Sequence, residues 1–229
     1  MGRALTGPAV GGFPDRRIRL IGVTGGIATG KSTVARILAA DFDAALVDSD
    51  RVVHALLAPG GAAYADVVQA FGPDILDDAG RIDRRRLGRR VFQDVEARRR
   101  LEAILHPRVI QETARLIEAY LAAGAWLVVG VAPLMMEVGT HRRFPLVVVT
   151  HCSEATQIRR LQERDGLSEA EARLRIEAQW PVERKRRMAD VVIDTEGSMA
   201  ETRGQVLALV AWLWPDHPAI ARFRLEGIS

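Results

Sequence analysis

Five short runs of Val, Ile, Leu and Ala punctuate the chain: IRLIGVT at 18–24, AALVD at 44–48, WLVVGV at 126–131, LVVVT at 146–150 and VVID at 191–194. None alternates with polar residues, so each predicts a strand buried on both faces. Between them apolar positions fall at helical spacing, as with Val34, Ile37 and Leu38, or Ile158 and Leu161. Such strands alternating with helices predict an α/β fold, a parallel five-stranded sheet with flanking helices.

The spacing of the runs is uneven. From Asp48 to Trp126 nothing reads as a strand, and that is far more chain than a crossover needs. YADVVQAFG, RRRLGRRVF, VEARRRLEAIL and RVIQETARLIEAYLAAG carry helical spacing and predict a helical insertion over about 59–125, rising from the second strand. A second charged helical stretch, about 153–189, predicts a lid. The core is then expected at 18–58, 126–152 and 190–214, with a flexible leader at 1–17 and an irregular tail at 215–229.

Composition narrows the function classes. The 229 residues are 48% hydrophobic, enough for a substantial interior. A net charge of +3 with a pI near 9.6 predicts local positive pockets for an anionic small molecule and no nucleic-acid surface. Arginine clusters, including Arg184-Lys185-Arg186-Arg187, alternate with acids and read as solvated helix faces. The single cysteine, Cys152, allows no internal disulfide, and no Cys/His spacing resembles a zinc site. The lone cysteine fits a reducing cytoplasm and no stretch approaches a membrane span, so a cytoplasmic protein without membrane contact is expected, and no obligate protein partner is implied.

Gly25 to Ser32 matches G-x-x-x-x-G-K-[ST], after a predicted strand and before a predicted helix, which is the context a phosphate loop requires. Gly25, Gly26, Ile27, Ala28, Thr29, Gly30, Lys31, Ser32 and Thr33 would cradle the phosphates of ATP through backbone N–H groups and the helix dipole. Lys31 would reach the β- and γ-phosphates and Ser32 would ligate Mg²⁺. Lys31 stands out further because the chain has only one other lysine, Lys185, among 32 Lys plus Arg.

VDSDRVVHALL puts Asp48 and Asp50 at the carboxyl end of the second strand, where open α/β sheets bind ligands. One carboxylate there could take the proton of an acceptor hydroxyl and the other hold Mg²⁺ or its waters. Equally, Asp50 could cap a helix beginning at Arg51. No N-K-x-D base-reading element occurs, and the third strand ends without an acidic pair, which favours transfer to a small acceptor over hydrolysis.

In this order TGGIATGKSTVA, VDSD, FGPDILDDAGRIDRRRLGRRVFQD, LEAILHPRV, APLMME, TQIRRLQERDGLSEAEARLRIEAQ and ADVVIDTEGS resemble the dephospho-CoA kinases, over about 18–212. The resemblance implies ATP- and Mg²⁺-dependent phosphorylation of the ribose 3′-hydroxyl of dephospho-CoA. It implies Asp50 as the base with Asp48 as companion at the metal, and Arg160 and Arg164 as lid arginines closing on the transferred phosphate. It also implies His106, Pro133 and Glu137 at the acceptor, and Thr195 and Gly197 near adenine. Surface pairing of the two arginines with Glu163 and Asp165, and a packed helix-start role for His106, stay open. Three departures are visible: Ala28 and Thr195 stand where the family usually has Gly and often Asn, and Met135-Met136 replace Leu-Phe. A kinase for another small acceptor and a slow nucleotide-gated binding protein are the rival readings; acceptor-dependent turnover separates them.

Overall fold

A computed structural model describes residues 18–220, so the expected leader and the end of the expected tail lie outside the described residues. The chain forms two compact units: the residues up to Leu46 together with those from Ala123 on, and Val47–Ala122.

The first unit is built on the sheet. Its strands are β1 (Leu20–Gly25), β2 (Ala45–Asp48, at whose end the chain passes into the second unit), β3 (Val128–Val131), β4 (Val147–His151) and β5 (Val191–Asp194). The order is β2-β3-β1-β4-β5, with β1 parallel to both β3 and β4, and β4 parallel to β5. Each expected run supplies one strand, within two residues at either end.

Continuous apolar strands are explained by two covered faces. Ile21, Val23, Val129, Val148 and Ile193 join Val34, Leu38 and Phe42 of α1 (Lys31–Phe42) and Val206, Leu209 and Val210 of α9 (Met199–Leu213) in one buried cluster. Val147, Val149 and Val192 point the other way, onto Met136, Ala189 and the partly buried Phe144 and Trp180. Each fully buried aliphatic side chain contributes about 1.5–3 kcal/mol relative to exposure. Met135 and Met136 are both core, while Leu134 is exposed.

Three helices follow β4: α6 (Glu154–Asp165), α7 (Glu169–Glu177) and α8 (Val182–Arg187). Glu196, just past β5, accepts from the Ser153 amide at 2.6 Å and the Thr156 hydroxyl at 2.5 Å, so it binds the first turn of α6. Those donors hold its pKa below the usual carboxylate value. Residues 215–220, expected as irregular tail, instead bring Ile220 into the core and set the His217 ring 4.3 Å from that of Trp126.

The second unit contains α2 (Ser49–Leu57), α3 (Tyr64–Phe71), α4 (Arg84–Gln93) and α5 (Val95–Ala122). Val52, Leu56, Val67, Phe71, Leu87, Ala97 and Leu105 are among its buried side chains. Two of the expected helical segments are one: α5 runs 28 residues through Pro107. Arg108 braces the turn beside the proline, donating to Ile104 O at 2.8 Å and Ala62 O at 3.1 Å and pairing with Asp66. A proline interrupts one hydrogen bond of the ladder, and those contacts hold the neighbouring turn in place.

Candidate active site

β1 is buried to its last residue and delivers the chain to Gly25, after which Gly26–Gly30 form a tight loop and α1 begins at Lys31. The turn into the helix is made by Gly30 at φ 87°, and a Cβ there would come within 3.0 Å of Thr195. Ala28 also sits in the left-handed region, at φ 59°. That is the position where the resembled family usually has glycine, and the backbone shows why.

Five successive loop carbonyls are each taken by a donor from the protein side. Lys185 Nζ donates to Gly25 O at 3.2 Å, Thr29 Oγ1 to Gly26 O at 2.8 Å and Gln157 Nε2 to Ile27 O at 2.6 Å. Arg160 Nη1 donates to Ala28 O at 3.1 Å and Thr195 Oγ1 to Thr29 O at 2.9 Å. In a trans peptide the carbonyl and the following N–H point opposite ways. Drawing these carbonyls inward therefore turns the amides of residues 26, 27, 28 and 30 to the concave side. The Thr29 amide closes on Gly26 O at 3.3 Å instead. The result is a nest for an anion at a helix start, where the dipole adds to its attraction.

Gly30 caps α1 without any side-chain bond, and the first turn holds no acidic residue. Lys31 Nζ lies on the loop itself, 2.5 Å from Gly26 O and 3.4 Å from Gly25 O. Ser32 is exposed beside it. Among the described residues no group of three or more His, Cys, Asp or Glu could hold a metal.

The two arginines expected in the lid part company. Arg160 faces the loop: besides Ala28 O it donates to Thr195 Oγ1 at 3.1 Å and to Thr195 O. Arg164 is exposed and bidentate to its neighbour Asp165, 2.8 Å on both oxygens, and the pair holds the Asp165 pKa down. Glu163 lies 3.9 Å from Arg159.

Thr195 is buried, its hydroxyl donating to the loop and to His151 O at 3.2 Å, and Gly197 is exposed ahead of Ser198, the cap of α9. Pro133 O accepts from Lys185 at 2.8 Å, and Glu137 accepts from Lys185 at 2.7 Å and from the Trp180 amide at 3.1 Å. The structure thus gathers the loop, Arg160, Thr195, Pro133 and Glu137 in one unit.

The remaining site residues lie in the second unit. The helix after β2 begins two residues earlier than expected, at Ser49, and its cap is Asp48, whose carboxylate accepts from the Asp50 amide at 2.9 Å. Asp50 is therefore not the cap; it is an exposed residue of the first turn of α2. His106 is exposed inside α5 and does not start a helix.

Sequence reasoning missed Gln157, Thr150 and Lys185. Thr150 Oγ1 lies 2.8 Å from Thr29 Oγ1 beneath the loop. Lys185, assigned to a solvated face, is fully buried. Its desolvation pushes the ammonium pKa down, and the Glu137 carboxylate pulls it back up. The rarity of lysine was the one signal available.

A buried parallel strand, a glycine loop with inward carbonyls and an uncapped helix start bearing lysine and serine define a phosphate-loop α/β protein of the small-molecule kinase type. Comparison with known proteins narrows this. The dephospho-CoA kinase family model matches residues 19–201. The dephospho-CoA kinase of Geobacillus kaustophilus is 44% identical over 190 residues, covering 83% of this chain and 94% of that one. That of Carboxydothermus hydrogenoformans is 42% identical over 199 residues, 86% and 96% of the two chains. Among solved structures, TT1252 from Thermus thermophilus is similar with a TM-score of 0.72 and 33% identity over 86% of this chain and 99% of that one. Dephospho-CoA kinase from Campylobacter jejuni gives a TM-score of 0.60 with 25% identity over 85% and 97%. The chain belongs to the dephospho-CoA kinase family.

Proposed function

We propose that the protein transfers the γ-phosphoryl group of ATP to the ribose 3′-hydroxyl of dephospho-CoA, giving coenzyme A and ADP. The observation that carries the reading is the phosphate loop with its carbonyls drawn inward, in a chain of this family. Loop amides from Gly25 to Thr33 hold the triphosphate, and Lys31 exchanges its loop carbonyls for phosphate oxygens. Ser32 and Asp48 are the residues that would hold Mg²⁺, which would offset the negative charge of the phosphates.

Asp50 accepts the proton of the 3′-hydroxyl as its oxygen bonds to the γ-phosphorus and the bond to the ADP oxygen breaks. Arg160 and Arg164 spread the charge of the transferring group. Arg160 also braces the loop, which supports its closeness to the phosphates. Arg164 reaches them by giving up Asp165, a surface pair worth little. Thr195 and Gly197 line the adenine side, and His106, Pro133 and Glu137 stand at the acceptor. The protein works in the cytoplasm on a small molecule, without nucleic acid or an obligate partner.

The test is ADP release with MgATP, with and without dephospho-CoA, and mass spectrometry of the acceptor. One phosphate added at the 3′ position, only when acceptor is present, is expected. Asp50→Asn should lower kcat about 10²–10⁴-fold while leaving MgATP binding intact. ADP release indifferent to acceptor would sink the assignment.

A further inference from the structure

Lys185 is one of two lysines in the chain, and both serve the same loop. Its ammonium has three donors and three acceptors around it: Glu137 Oε1 at 2.7 Å, Pro133 O at 2.8 Å and Gly25 O at 3.2 Å. Acceptors converging on a point suit a compact ammonium better than the flat fork of an arginine, which explains a lysine amid Arg184, Arg186 and Arg187. A buried ion pair is a poor source of stability, since an apolar replacement is often neutral or better. Its placement therefore calls for another use.

We propose that Lys185 is a positioning residue for nucleotide binding, acting through the Gly25 carbonyl; the inference rests on the reading of the loop as an ATP site. Holding that carbonyl inward fixes the Gly25–Gly26 peptide plane and keeps the Gly26 N–H on the concave side. The same carbonyl lies 3.4 Å from Lys31 Nζ. When Lys31 turns to a phosphate oxygen, Lys185 keeps the Gly25 carbonyl bonded, so the turn leaves no buried acceptor unpaired. Glu137 orients Lys185, and Pro133 O ties the segment after β3 to the same ammonium. The end of β1, the segment after β3 and α8 are thereby joined at one atom.

The double variant Lys185→Met/Glu137→Gln removes both charges together, so that neither is left buried alone. It is expected to stay folded and to bind MgATP, titrated calorimetrically, about tenfold or more weakly, the scale of a lost charged hydrogen bond. A folded double variant with wild-type MgATP affinity overturns the inference. A second measurement uses the wild-type protein and stands even if that variant does not fold. With ¹⁵N-lysine labelling only two side-chain signals exist, and saturating MgATP should shift that of Lys185 as well as that of Lys31. A Lys185 signal unmoved by bound MgATP overturns the inference while leaving the ATP site in place. Wild-type protein that fails to bind MgATP at all overturns the functional reading and this inference with it.

Discussion

Ala28 holds a left-handed backbone at φ 59° in the middle of the phosphate loop, its carbonyl fastened by Arg160. A Cβ in that region costs about 1–2 kcal/mol, and glycine avoids it. Glycine also gains freedom in the unfolded chain, which offsets part of the relief. Ala28→Gly is therefore expected to stabilise the protein by roughly 0.5–1 kcal/mol, read as a higher urea midpoint at unchanged slope. A lower midpoint would mean that Ala28 makes contacts worth more than its strain. The position was legible in the sequence as a departure from glycine, but its φ was not. Lys31 was legible because its spacing from Gly25 and Gly30 is local. Lys185 was not, because an arginine-rich run reads as solvated until the fold brings Glu137, Pro133 and Gly25 around one member of it.

At the level of elements, the sheet face opposite α1 and α9 shows how close packing constrains sequence. Gly130 in β3 leaves room for Phe144: a Cβ there would lie 2.5 Å from the ring atoms Cε1 and Cζ. Gly22, its partner in β1, faces the same ring, with Phe144 Cγ at 2.9 Å and Met135 Sδ at 2.8 Å from a would-be Cβ. Gly130→Ala should therefore overpack this face and destabilise by about 1–3 kcal/mol. Phe144→Leu in the same chain should recover much of that loss, and a double-mutant cycle from denaturant curves would measure the coupling. Additive effects would mean that the ring simply moves aside. All five strands were legible because burial on both faces leaves an uninterrupted apolar run. The continuity of α5 was not, since a proline in a helix interior costs about 3 kcal/mol on propensity. Contacts from Arg108 to Asp66, Ala62 and Ile104, distant or invisible in the sequence, hold the turn beside the proline.

For the molecule as a whole, acid stability should fall in two stages. Glu196 and Glu183 are held below their ordinary value of 4.5, Glu196 chiefly by the Thr156 hydroxyl and Glu183 chiefly by His151. A carboxylate with a depressed folded pKa contributes stability above its unfolded value and loses it as pH falls through the folded one. That stage begins near pH 4.5 and runs downward. An earlier stage belongs to His217, whose burial pushes its pKa below the ordinary 6.5, with Asp43 opposing. The unfolded chain then binds the proton more readily, so stability is complete above about pH 6.5 and declines as pH falls below it. The neutral ring is wired into the fold: Nδ1 accepts from the Ala219 amide at 3.3 Å, and the ring meets Trp126 at 4.3 Å and Phe42 at 6.0 Å. Trp126 in turn donates to Phe42 O at 2.6 Å, so indole fluorescence should report the loosening. His217→Gln removes the titration and is expected to flatten the melting-temperature profile between about pH 7 and 5, leaving the carboxylate stage below it intact. A variant that still loses stability over that upper window would assign the loss to another group and remove His217 from the account.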